Sequence, residues 1–133
     1  MTRYLLDTNI LSDIIRNPQG RAAQRASEMS GVVLCTSIIV AAELRYGCAR
    51  NGSPRLRRAV EAVLGEIAVL PFDVPADAAY GEIRAALEAT GRTIGGNDLF
   101  IAAHASAVGA TLVTANVGGF ERVRGLRVEN WLA

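Results

Sequence analysis

Two hydrophobic periods alternate along this chain. Short runs in which nearly every residue is apolar or β-branched separate longer runs whose apolar residues recur at three- and four-residue spacing. Residues 3–6 (RYLL), 32–36 (VVLCT), 68–72 (AVLPF), 110–116 (ATLVTAN) and 126–131 (LRVENW) read as strands. Residues 8–17, 21–31, 37–50, 55–67, 75–91 and 95–109 read as helices. Pro18 stops the first of these and Gly31 ends the second. Ser37 is a candidate N-cap, Ser53-Pro54 opens the fourth helix, and Gly91 closes the fifth. Strands alternating with helices across short connections predict an α/β fold: a three-layer α/β/α sandwich around a central parallel sheet. The runs VVLC and TLV have no polar alternation, as strands covered on both faces require. No repeat or linker interrupts the pattern, so residues 1–133 are expected to form a single domain.

Composition narrows this picture. Half of the residues are hydrophobic, which is enough for a packed core and excludes a disordered chain. No apolar run is long enough to span a bilayer, and the first residues do not resemble a signal peptide. The expected location is the cytoplasm. Cys35 and Cys48, with no nearby histidine, are expected to be buried thiols. The net charge of +1 gives no overall basic field. All 14 basic residues are arginine, a residue suited to paired contacts with phosphate or carboxylate. Arg45, Arg50, Arg55, Arg57 and Arg58 crowd one stretch, either as a solvated surface or as a patch facing phosphate or a partner.

Several polar groups stand where the hydrophobic pattern does not call for them. Asp7 follows the apolar strand YLL directly. Glu43 sits inside SIIVAAELRYG, a helix apolar on almost every face and therefore expected to be buried. Asp98 begins the apolar helix DLFIAAHASAV, where the helix dipole favours its charged form. Thr114 and Asn116 end the strand TLV. Taken singly, Asp7 and Asp98 are ordinary helix caps, Glu43 is one half of a buried ion pair, and Thr114 and Asn116 are turn residues. In a parallel sheet, however, ligands collect beyond the carboxyl ends of the strands, and these groups can converge there. Gathered carboxylates repel one another, and a divalent cation relieves the repulsion. An all-oxygen donor set selects Mg²⁺ or Mn²⁺. The chemistry this suggests is metal-dependent phosphodiester hydrolysis.

The ordered segments LLDTNIL, SIIVAAELRYG, GGNDLFIAAHA, TLVTANVGGF and GLRVENW resemble the PIN-domain ribonucleases, and within them the VapC-type toxins of bacterial toxin–antitoxin pairs. The resemblance covers nearly the whole chain. It implies that Asp7, Glu43 and Asp98 are metal ligands for Mg²⁺ or Mn²⁺ and that Asn116 completes the catalytic set. Thr8 and Thr114 match hydroxyl positions that orient ligands or water. Gly119, before Phe120, departs from the pattern, which usually has an acid there. The resemblance further implies an endoribonuclease that cuts RNA, with transfer RNA a candidate through the segment YGEIRAALEATGR. It also implies a homodimer and a VapB-type antitoxin that lays a C-terminal segment across the acidic groove.

Other readings are weaker. A haloacid-dehalogenase-like phosphatase needs an acid where this chain has Asn9, and a receiver domain needs a lysine that is absent. A PIN module weakened in catalysis, binding RNA or an antitoxin without efficient cleavage, rests on Gly119. Glu82 is expected on a solvated helix face, although it could also add an acid to the site. His104, the only histidine, is expected to pack or to serve an interface. Trp131 and Phe120 are expected as edge or core anchors, with a dimer contact open for Trp131. Arg84 and Arg92 are candidates to face substrate phosphate.

Overall fold

In the computed structural model, which describes residues 1–133, five strands form one wholly parallel sheet. They are β1 (Thr2–Leu6), β2 (Val32–Ser37), β3 (Ala68–Leu70), β4 (Thr111–Val113) and β5 (Val128–Glu129). Seven helices cover it: α1 (Thr8–Arg16), α2 (Arg21–Glu28), α3 (Ile38–Asn51), α4 (Pro54–Glu66), α5 (Ala76–Ala89), α6 (Gly96–Ala107) and α7 (Val117–Phe120). The three-layer α/β/α expectation holds. The strand order is β3-β2-β1-β4-β5. The chain builds outward from β1 through β2 to β3, then crosses over and builds the other way through β4 to β5. The reversal lies between β1 and β4, and at such a point the flanking connections diverge and leave a crevice past the strand ends.

The core explains the strand runs. Leu5, Leu6, Leu112 and Val113 are fully or almost fully buried on the two central strands. Ile10 and Leu11 of α1, Val40 of α3, Ile101 of α6 and Phe120 of α7 close over them. Both cysteines are free and buried. Ser37 caps α3 by accepting from the Ile39 amide at 3.0 Å, and Ser53 caps α4 by accepting from the Leu56 amide at 3.2 Å. No helix is long and apolar enough to cross a membrane.

The differences are local. The second helix stops at Glu28, and the strands expected over 68–72, 110–116 and 126–131 are shorter. The residues after Val113 instead turn into α7, whose four residues VGGF carry too little periodicity to read from sequence. Helix α3 is not buried all round. Its Ile38 and Tyr46 stand 46% and 65% exposed on an outer face, beside a buried face of Val40, Ala41, Leu44 and Cys48. Trp131 is an intramolecular edge anchor. It packs on Tyr4, lies under the Arg25 guanidinium and donates to Glu129 at 3.1 Å. His104 is buried in the α6 face, its Nδ1 2.7 Å from Ser37 Oγ and its ring edge-on to Phe72.

Candidate metal and catalytic centre

Asp7 is the first residue past β1, at the carboxyl end of the central strand and beside β4. Its amide still bonds to the Val113 carbonyl at 2.9 Å, so the strand pairing fixes where its side chain begins. The side chain then caps α1. Oδ1 accepts from the Thr8 amide at 2.8 Å, and Oδ2 accepts from the Thr114 hydroxyl at 2.8 Å. Asp7 is thus both a helix cap and a member of the site.

Asn9 joins the same network, although in sequence it stands out only as the missing acid of another enzyme class. Its Nδ2 donates to Thr114 Oγ1 at 3.3 Å and approaches Asp7 Oδ2 at 3.5 Å, while its Oδ1 accepts from the Ala115 amide at 3.0 Å. The Thr114 hydroxyl also accepts from the Asn116 amide at 3.0 Å. One amide side chain and one hydroxyl therefore pin the turn after β4 onto the start of α1. The signal for Asn9 is its spacing, two residues after Asp7 at a helix start.

Asp98 enters from the first turn of α6, which has no side-chain cap of its own. Its Oδ2 accepts from Asn116 Nδ2 at 3.3 Å. Asn116 Oδ1 in turn caps α7 by accepting from the Gly119 amide at 3.4 Å. This explains Gly119. A Cβ built there would lie 2.8 Å from Asn116 Nδ2 and 3.1 Å from its Oδ1, so the side chain that holds Asp98 occupies the space an acid at position 119 would need.

Glu43 reaches the crevice from α3 and has no arginine partner. The chain's three ion pairs are Arg25–Glu129, Arg45–Glu61 and Arg84–Glu88, all at the surface. Glu43 Oε1 is buried without a hydrogen-bond partner, and so is the neighbouring Thr8 hydroxyl. Burial pushes the Glu43 carboxyl above its ordinary value. The Thr8 hydroxyl opposes that shift without completing a well-formed bond, the Asp7 and Asp98 charges add to it, and the Asn97 side chain opposes it. Burial also raises Asp7, against the Thr114 and Thr8 hydrogen bonds and with a contribution from Asp98. Asp98 is raised by burial and lowered by Asn116. Asp7 and Asp98 thus both act on Glu43, and Asp98 acts on Asp7, so the three carboxylates share one crevice. They do not close unaided into a cage, since no three acidic, histidine or cysteine side chains converge tightly enough to enclose an ion. Such an open set suits a hard cation that keeps water ligands and leaves room for substrate oxygens.

A groove of about 250 Å³ opens from Thr8 and Glu43 between α1, α3 and α4, over the apolar side chains of Ile15, Leu44, Leu56 and Val60. Arg84 is tied along α5 to Glu88 at 3.0 Å and to the Tyr80 hydroxyl at 3.0 Å. Glu82 lies on the solvated side of α5, in a different groove from Glu43.

Residues 4–126 match the model of the PIN domain family. The chain is 39% identical over 133 residues to ribonuclease VapC2 of Haemophilus influenzae, covering 99% of this chain and 100% of that one. It is 39% identical over 132 residues to the tRNA(fMet)-specific endonuclease VapC of Shigella flexneri, covering 98% and 99%. Its fold is similar to that in a crystal structure of VapBC2 from Rickettsia felis bound to a DNA fragment from their promoter, with a TM-score of 0.91, 34% identity, and 98% and 99% of the two chains covered.

Proposed function

The chain belongs to the PIN-domain family, and from that premise we propose that it is a Mg²⁺- or Mn²⁺-dependent endoribonuclease, the toxin half of a VapBC-type toxin–antitoxin pair. Asp7, Glu43 and Asp98 would hold the ion. When bound, it supplies polarisation of a phosphoryl oxygen and activation of the attacking water. The chain's own part is positioning. Thr114 and the Thr8 amide hold Asp7, and Asn116 holds Asp98. The observation that carries the reading is the buried, unpartnered Oε1 of Glu43, in a crevice where Asp7 and Asp98 already push its pKa upward. A cation there satisfies the orphaned oxygen and removes the repulsion together.

The substrate class is RNA, with transfer RNA as the first candidate, by similarity to the Shigella endonuclease. The partner is a VapB-type antitoxin, supported by the VapBC complexes among the similar structures. The groove running from Glu43 over Ile15, Leu44, Leu56 and Val60 offers apolar side chains of an antitoxin segment a floor beside the acidic centre. A homodimer is part of the same reading, and the exposed Ile38 and Tyr46 face of α3 is available for it. A second reading, a PIN module that binds RNA or an antitoxin without efficient cleavage, draws on Gly119, where the usual acid is absent. The lodging of Asn116 in that space argues for a rebuilt centre over a lost one.

The test is to express the chain in cells and sequence the 5′ ends of the RNA produced. Recurrent new ends at one or a few sites, absent with Asp7→Asn, are expected. Identical ends with and without the substitution would overturn the nuclease reading.

A further inference from the structure

We propose that the groove between α5 and the segment following α7 is a second phosphate-binding site, which holds the backbone of the substrate RNA away from the scissile bond. This deepens the nuclease reading and rests on it. The groove has a volume of about 630 Å³. Arg92, Arg122 and Arg124 line it against a single carboxylate, Glu82, and Leu87 and Val123 form part of its apolar floor. Two of the three guanidiniums are unengaged, since Arg92 and Arg124 are exposed and their side chains make no hydrogen bond or ion pair. In contrast, the Arg25, Arg45 and Arg84 side chains are each spent on a glutamate. Arg122 donates to the Thr93 carbonyl at 2.9 Å.

That last bond places the groove. Thr93 begins the segment that delivers Asp98, and Arg122 ends the segment that begins with Asn116. The Arg122–Thr93 and Asn116–Asp98 bonds thus join the same two segments, one on the groove side and one on the acidic side. A polyanion engaged at the carboxylates has repulsion to overcome, and this groove, joined to the acidic side through those two segments, offers two free guanidiniums on one concave surface. Arginine forks match phosphate oxygens, and the apolar floor gives a ribose or base a surface to lie on.

The experiment compares the wild type with the exposed double variant Arg92→Gln/Arg124→Gln. Binding to transfer RNA is measured by fluorescence anisotropy in Ca²⁺ over a range of salt concentrations. The Kd should rise about tenfold, and the log–log salt slope should fall by about two, one for each phosphate that an arginine no longer neutralises. The rise should vanish as the RNA is shortened to a pentanucleotide, and Arg92→Lys/Arg124→Lys should recover most of the affinity. Arg21→Gln/Arg127→Gln, both exposed and outside the groove, serves as the charge control and should leave the Kd unchanged. An unchanged Kd and slope in the groove variant, or an equal loss in the control, overturns the proposal. Loss of binding to a polyglutamate peptide with RNA binding intact would assign the groove to an acidic protein partner and overturn it as well. If the wild type cleaves RNA in cells and the groove variant binds normally, only the groove assignment fails. If the wild type neither cleaves nor binds RNA, both fall.

Discussion

Asp7 and Glu43 occupy the same crevice in opposite conditions. Asp7 has both oxygens engaged by donors that the fold itself fixes, a backbone amide and the Thr114 hydroxyl. Glu43 arrives from the middle of a helix with one buried oxygen unanswered and no ion pair to an arginine. Both are raised by burial and both have donors that oppose the shift, but only around Asp7 do those donors form well-made hydrogen bonds. The contrast teaches that one wall of the site is closed by the fold's own donors, while the other keeps an unanswered oxygen, where the proposed cation would sit. A structural ion pair would have left Glu43 with an arginine, and a plain helix cap would have left Asp7 without Thr114.

Substitution separates the two walls most sharply. Asp7→Asn keeps a good capping residue, so thermal melting should show a stability change within about 1 kcal/mol. RNA cleavage should nevertheless fall by about 10²- to 10³-fold or more. Glu43→Gln should abolish cleavage comparably, yet raise the melting temperature of the metal-free protein, because it removes the charge that Asp7 and Asp98 repel. A lower melting temperature for Glu43→Gln would mean that the carboxylate is satisfied after all. Thr114→Val should act on the Asp7 wall alone. Removing a buried hydroxyl that bridges Asp7, Asn9 and the Asn116 amide should cost about 1–3 kcal/mol, read by denaturant unfolding. It should also slow cleavage by about 10- to 100-fold, as loss of a ligand-orienting group does.

Smaller effects come from the rim and from pH. Gly119→Asp restores the acid usual in the family, but its Cβ would meet the Asn116 side chain. Alone it should slow cleavage about two- to tenfold in a kinetic assay, by displacing Asn116 and loosening Asp98. A faster single variant would show that the absent acid limits the enzyme. The raised carboxyls also set a pH dependence. Asp7, Asp98 and Glu43 hold their protons more tightly folded than unfolded, where their ordinary values are 3.8 for the aspartates and 4.5 for the glutamate. Their contribution to metal-free stability is therefore full below those values and is lost as pH rises through the higher folded ones. Melting curves in chelator should show that decline. Mn²⁺ should oppose it, because the ion binds the deprotonated groups.

Much of this was legible in the residues. The strands showed because buried parallel strands carry continuous apolar runs, and the helices showed through their caps and glycine stops. Asp7, Glu43 and Asp98 stood out because each is a charge inside an apolar context. Less visible were features whose meaning depends on which strands become neighbours. Asn9 bonds to Thr114 and Ala115 across more than a hundred residues, and Ser37 meets His104 across 67. No local period encodes such pairings. Helix α7 is too short to show periodicity, and the open face of α3 was hidden because Ile38, Ala42 and Tyr46 read as core residues by type. Gly119 reads as a loss until the Asn116 side chain is seen occupying its space.

The decisive measurement is anomalous scattering from a crystal of the protein soaked in Mn²⁺. A peak within ligating distance of Asp7, Glu43 and Asp98, with Glu43 Oε1 turned toward it, is the expected result. A saturated soak with no peak in the crevice, and Glu43 instead bonded to a group of its own chain, would contradict it.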